Sequence, residues 1–150
     1  MRHVPEVVPA AGQDMIAIRA LLERSGLPTR DLDSARPDFA VIRENGQVIA
    51  AGALQRFGSS ALLRSVVVAP DRRKRGLGQA VVCELERLAR TAHVNQLILL
   101  TQTAEDFFAH QGYRVIERSS APQDMQGSEE FRSLCPSSAP CMAKYLPDSA

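Results

Sequence analysis

The sequence predicts a mixed α/β domain of the α+β kind, with a twisted, mostly antiparallel sheet of six to seven strands and about four helices. Two observations carry the prediction. Asn45-Gly46 separates the apolar runs Phe39–Arg43 and Gln47–Leu54, and Asn-Gly in that setting forms the left-handed turn of a β-hairpin. The valine-rich run Ala61–Val68 is followed by a helical pattern and then by a second apolar run, Gln96–Leu100; strands joined through a helix lie parallel. A chain of 150 residues that is 45% apolar can bury a real core as one domain.

Taken in order, Val4–Val8 makes a short first strand although Pro5 and Pro9 remove ladder donors. Asp14–Arg24 is a helix with Met15, Ile16, Ile18, Ala20, Leu21 and Leu22 as its apolar residues, and Gly26 and Pro28 end it. Leu27–Arg36 is polar, with a helical turn at Thr29–Asp33. After the hairpin, Gly58-Ser59-Ser60 turns the chain into Ala61–Val68, giving a three-stranded antiparallel meander. Regular alternation along that strand places Leu62, Arg64, Val66 and Val68 on one face and Leu63, Ser65 and Val67 on the other. Pro70 stops it. Leu77, Val81, Leu85 and Leu88 then recur at helical spacing, opposite Gln79, Glu84, Glu86, Arg87 and Arg90. Ala104–Gln111 is a short helix closed by Gly112, and Tyr113–Ile116 is a strand in which Tyr113 packs while its hydroxyl reaches toward solvent. Helical turns follow within Ala121–Phe131. Met142–Leu146 is the final strand, paired beside Tyr113–Ile116 so that the intervening segment folds over the pocket.

A net charge of +1 predicts neither a nucleic-acid nor a membrane partner, and no apolar run approaches the roughly 20 residues of a bilayer span. Met1-Arg2-His3-Val4-Pro5 is no signal peptide, so the expected location is cytoplasmic. Cys83, Cys135 and Cys141 are odd in number and read as thiols. The five residues between Cys135 and Cys141 do not make a zinc-knuckle spacing and no histidines join them, so no metal is expected.

The chemistry concentrates between the valine strand and the long helix. Arg72, Arg73, Lys74 and Arg75 precede Gly76-Leu77-Gly78, where the helix begins. The first N–H groups of a helix have no intrahelical acceptor and sit at the positive end of its dipole, and glycines let an anion approach them. A pyrophosphate is the natural guest. A Gly-x-x-x-x-Gly-Lys-Ser/Thr loop is absent. A dinucleotide-binding turn is disfavoured because Val81 stands in place of the third glycine and Leu99-Leu100-Thr101 brings no ribose-binding acid.

Arg73-Lys74-Arg75-Gly76-Leu77-Gly78, with Val-Ala-Pro before it, resembles the Arg/Gln-x-x-Gly-x-Gly/Ala signature of the GCN5-related N-acetyltransferases. The resemblance implies acetyl-CoA as co-substrate, held by Val66, Val67 and Val68, by Arg73, Lys74, Arg75, Gly76, Leu77, Gly78 and Gln79, and beside Phe108. It implies that the parallel strands splay to admit acetyl-pantetheine. It also implies that Val66 N–H is the catalytic donor to the thioester carbonyl and that Val68 is a backbone partner of pantetheine. Two positions depart from the family pattern: Phe108 stands where a tyrosine often protonates the leaving thiolate, and Thr101 replaces a frequent asparagine. Dimers are common in the family, so a homodimer stays open.

Leu62–Val68, Thr103–Ala109 and the tail from Ser119 to Pro140 are similar to the arsenic-resistance branch, whose members acetylate amino-acid-like compounds such as arsinothricin and phosphinothricin. For Arg64, alone in an apolar strand, two roles stay open: a substrate carboxylate ligand, with Ser65 beside it, or a charge paired with an internal acid. The expected acceptor is thus a small primary amine, either such an organoarsenical or an ordinary amino acid or amine. A different class of reading is a trivalent-arsenic binding or sensing protein using Cys135 and Cys141, with the CoA site vestigial.

Overall fold

The computed structural model describes residues 6–73 and 75–147. Val4 and Pro5 of the expected first strand, and Lys74 of the basic run, lie outside the described residues. Seven strands form in chain order: β1 (Val7–Pro9), β2 (Asp38–Glu44), β3 (Gln47–Phe57), β4 (Ser60–Val68), β5 (Gln96–Leu100), β6 (Arg114–Ile116) and β7 (Cys141–Tyr145). They make one sheet in the order β1-β2-β3-β4-β5-β7-β6, with β4 and β5 parallel and every other neighbouring pair antiparallel. Five α-helices accompany it: α1 (Met15–Arg24), α2 (Leu32–Ala35), α3 (Leu77–Thr91), α4 (Glu105–His110) and α5 (Gln123–Gln126). A π-helical turn at Glu130–Leu134 precedes β7. None of these helices is long and apolar enough to cross a membrane.

The hairpin forms where Asn-Gly asks for it: Asn45 and Gly46 take φ of 53° and 76° between β2 and β3. The helical turn expected at Thr29–Asp33 instead forms at α2, three residues later, and Arg36 at φ 45° ends it before Pro37. β7 inserts between β5 and β6, so the tail strand pairs on both sides.

The alternation expected along β4 fails after Arg64. Ala51 faces Val67 and Ala53 faces Arg64, so two steps along β3 oppose three along β4, and Ser65 absorbs the extra residue at φ 59°. A β-bulge flips every side chain beyond it. Leu62 packs with Ile98, Met125 and Phe131, whereas Val66 faces α3, beside Val81 and Leu85 over Gly52. Gly52 lies under that crossing because a Cβ there would stand 2.7 Å from Val81 Cγ1 and 2.9 Å from Leu85 Cδ1. α3 lays Leu77, Val81, Val82, Leu85 and Ala89 into the main core, while residues 121–131 cover a second core on the Leu62 face.

Periodicity puts Glu86 on the solvent side of α3, and Tyr113 is expected to reach solvent with its hydroxyl; instead both residues are buried, at 6% and 3% exposure. Tyr113 Oη donates to Glu86 Oε2 at 2.9 Å, and Lys144 Nζ of β7 pairs with the same carboxylate at 3.1 Å. A buried acid on a helix is stable where a cation and a hydroxyl satisfy it, and both partners lie far along the chain, Lys144 in β7 and Tyr113 just before β6.

Candidate functional site

β4 and β5 are hydrogen-bonded only from Ser60–Leu62 to Gln96–Ile98, and beyond that they part. A cleft of about 700 Å³ opens in the gap. Its walls are the outer halves of the two strands, the start of α3, the loop into α4, the end of α1 and the segment after the π-turn. Val66, Val67, Val68, Arg73, Gly76, Leu77, Gly78, Gln79, Phe108, Arg64 and Ser65 all line it. Those expected residues are therefore brought to one place.

At the α3 end, Gly76 caps the helix at φ 76°, a left-handed conformation that favours glycine. The first bond of the helix runs from Ala80 N to Gly76 O at 3.1 Å, so the N–H groups of Leu77, Gly78 and Gln79 precede it without an intrahelical acceptor. Gly78 sits 3.4 Å, measured from where its Cβ would be, from the Phe107 ring. Those N–H groups suit a phosphate.

The basic run contributes less than its composition suggests. Arg72 Nε binds Glu44 Oε1 at 2.9 Å and Arg75 Nη2 binds Glu44 Oε2 at 3.0 Å, which holds the Glu44 carboxyl below its usual range. Arg75, expected at the cofactor, is outside the cleft lining and turned to β2; of the described basic residues in the run, only Arg73 lines the cleft. The signal for this was Glu44 at the end of the hairpin strand, which local spacing does not connect to Arg75.

At the other end Arg64 takes the internal-acid alternative. Its side chain is fully buried, and Asp31 grips both Nη atoms at 2.6 and 2.7 Å. Gln55 Oε1 accepts from Nη1 at 3.0 Å, and Ser65 Oγ from Nε at 3.3 Å. Glu130 Oε1 stands 3.5 Å from Nε. Burial, together with nearby Asp31, raises the Glu130 carboxyl to about 7 against the opposing pull of Arg64.

Phe108 is buried edge-on between Phe107 and Tyr113, with ring centres 5.0 and 5.6 Å away, so the family's tyrosine position carries packing and no proton. Tyr113 cannot substitute: burial first, then Glu86, pushes its phenol far above the usual range. Thr101 Oγ1 accepts from Ala104 N at 3.0 Å and so starts α4 at the cleft edge.

Cys135 lines the cleft, Cys141 is buried in β7 and Cys83 is exposed; all three are free thiols. Burial pushes the Cys135 thiol up to about 11 and raises that of Cys141. Among the described residues no group of three or more His, Cys, Asp or Glu is arranged to hold a metal ion. Asp31, Glu130 and Ser25 carried no sequence signal of their own. Ser25 lines the cleft, and its Oγ is fully enclosed with no hydrogen bond from the described residues.

A mostly antiparallel sheet whose parallel strands splay beside the glycine-opened start of a helix defines the class of fold. Residues 35–115 match the model of the acetyltransferase (GNAT) domain, and the chain belongs to that family. It is 33% identical over 87 residues to an uncharacterized N-acetyltransferase of Chlorobaculum tepidum, a match covering 57% of this chain and 56% of that protein, about half its length. Among solved structures it resembles Rv2747 of Mycobacterium tuberculosis in complex with CoA and NLQ (TM-score 0.81, 26% identity, 95% of this chain and 100% of that one). It also shares its fold with N-acetylglutamate synthase of Neisseria gonorrhoeae complexed with coenzyme A and N-acetyl-glutamate (TM-score 0.84, 18% identity, 98% of this chain and 36% of that one).

Proposed function

We propose that this protein is an acetyl-CoA-dependent N-acetyltransferase acting on the primary amine of a small amino-acid-like molecule, with an organoarsenical of the arsinothricin type, in arsenic resistance, as the acceptor. One observation carries the transferase reading: a single cleft runs from the glycine-opened start of α3, along the unpaired outer half of β4, to Arg64 and Cys135. The CoA-bound neighbours support the donor. The arsenical acceptor rests on the Leu62–Val68, Thr103–Ala109 and Ser119–Pro140 resemblance.

Acetyl-CoA supplies an activated thioester carbonyl. The N–H groups of Leu77, Gly78 and Gln79 hold the pyrophosphate, with Arg73 adding positive charge. The bulge at Ser65 and the loss of pairing to β5 leave Val66 N–H free of a β5 partner, facing the carbonyl oxygen as negative charge develops on it. The amine attacks after losing its proton to solvent, and solvent protonates the departing thiolate because Phe108 has no proton to give. Held together in the cleft, the two substrates avoid roughly 7–11 kcal/mol of the bimolecular barrier, enough for transfer without a side-chain acid.

The test is CoA release with acetyl-CoA and a panel of amino-acid-like arsenicals, phosphinothricin, glutamate and simple amines, with products identified by mass spectrometry. Acetylation of the arsenicals or phosphinothricin is expected. Turnover of ordinary amino acids alone would move the acceptor to that class, and absence of acetyl-CoA binding would sink the transferase reading.

A further inference from the structure

The five N–H bonds of Arg64 are used unequally. Asp31 takes the end of the guanidinium with two short bonds, and Gln55 takes another Nη1 proton. The side edge, Nε with the second N–H of Nη2, is the fork that a carboxylate grips in bidentate fashion. On that edge only long contacts stand: Ser65 Oγ at 3.3 Å and Glu130 Oε1 at 3.5 Å, both to Nε. No hydrogen bond from the described residues reaches the Glu130 carboxylate, although its residue is 4% exposed. Glu130 also rides on a π-helical turn, a rare form that occurs mostly as single turns and is frequent at functional sites. Ser65 and Arg64 line the cleft on one side of this edge, and Cys135, at the end of the same turn, lines it on another.

We propose that an acceptor bearing a carboxylate displaces Glu130 from the Nε and Nη2 edge of Arg64, and that Glu130 takes up one proton from solvent as it yields the site. The inference rests on the acetyl-transfer reading and names its acceptor class: an amine that also carries a carboxylate. The Arg64 side chain has no exposed surface, so an anion reaches its Nε edge only by displacing a group that already stands there. The charges facing Glu130 are Arg64 from β4 and Asp31 from the start of α2, with the neutral Cys135 thiol from its own turn. One cation among two acids leaves a surplus negative charge. Asp31 is held by two short bonds, and the loosely held Glu130 is the group that gives way.

The experiment is binding of phosphinothricin and of glutamate to the CoA-loaded protein by calorimetry, in buffers of different ionisation enthalpy from pH 6 to 8.5, beside steady-state KM values for the same acceptors and for alkylamines. The wild type should take up close to one proton per carboxylate-bearing acceptor at pH 8, and its affinity should fall by about tenfold per pH unit above neutrality, the limit for one linked proton. Glu130→Gln should abolish the uptake, flatten the profile and bind these acceptors about tenfold more tightly at pH 8, since the competing charge is gone. Alkylamines should show neither effect. No proton uptake by the wild type, or an unchanged profile in Glu130→Gln, would overturn the exchange. Acetylation of alkylamines with no binding of the carboxylate-bearing probes would also overturn it while leaving acetyl transfer intact; failure to bind acetyl-CoA would instead remove the reading beneath it.

Discussion

Tyr113 and Phe108 show how much one hydroxyl decides. The tyrosine has its hydroxyl locked onto Glu86 beneath Lys144, and the ring at the family's proton-donating position has none. Replacing Tyr113 by Phe removes a buried bond to a charged group, and it should lower stability by about 1.5–3 kcal/mol in denaturant unfolding. The pH dependence of acetylation should stay where it was, because that phenol never loses its proton in the working range. A displaced pH profile would make Tyr113 an acid candidate. In the sequence, Tyr113 reads correctly as a packing residue, but nothing local marks its hydroxyl as buried, because Glu86 lies 27 positions away from it and Lys144 lies 58 from Glu86.

At the scale of elements, the bulge in β4 and the glycine beneath it make the site. Local signals made every strand and the long helix legible: Asn-Gly turned the hairpin, valines extended β4, and the helical period of Leu77, Val81 and Leu85 marked α3. The bulge was not legible, since Ser65 at φ 59° carries no mark of that conformation and period-2 alternation presumes an uninterrupted ladder. Gly52→Ala tests the crossing. Its Cβ would meet Val81 and Leu85 below 3.0 Å inside a filled core, so the variant should lose about 1–3 kcal/mol by overpacking. A second variant separates packing from chemistry: at Gly76, where no atom lies within 4 Å of a built Cβ, a bulky residue should cost about 1–2 kcal/mol for its left-handed backbone and abolish acetyl-CoA binding by filling the approach. Undiminished binding in a folded Gly76 variant would remove the phosphate loop from the starting glycines of α3.

Over the whole molecule, ionic ties between distant segments set how stability depends on pH, and they pull in opposite directions. Asp14, before α1, accepts from Ala11 N at 2.7 Å and pairs with Arg43 of β2, and the Arg43 bond first holds its carboxyl below the ordinary value of 3.8. A lowered acid contributes stability above its unfolded value and loses it as pH falls through the folded one. Glu130 has the reverse sign: raised from 4.5 to about 7, it favours the folded state fully below its unfolded value, and that contribution is lost as pH rises toward neutrality. Neither tie could be read from the sequence, because nothing local to Arg43 or Arg64 says which of the 17 acids, if any, it meets. Melting temperatures of the wild type should therefore fall on both sides of about pH 5. Asp14→Asn should lower the plateau and flatten the acid side, and Glu130→Gln should flatten the side between pH 5 and 7.5 while leaving the acid side in place. If both variants kept the wild-type slopes, the titrations that set those slopes would belong to other groups.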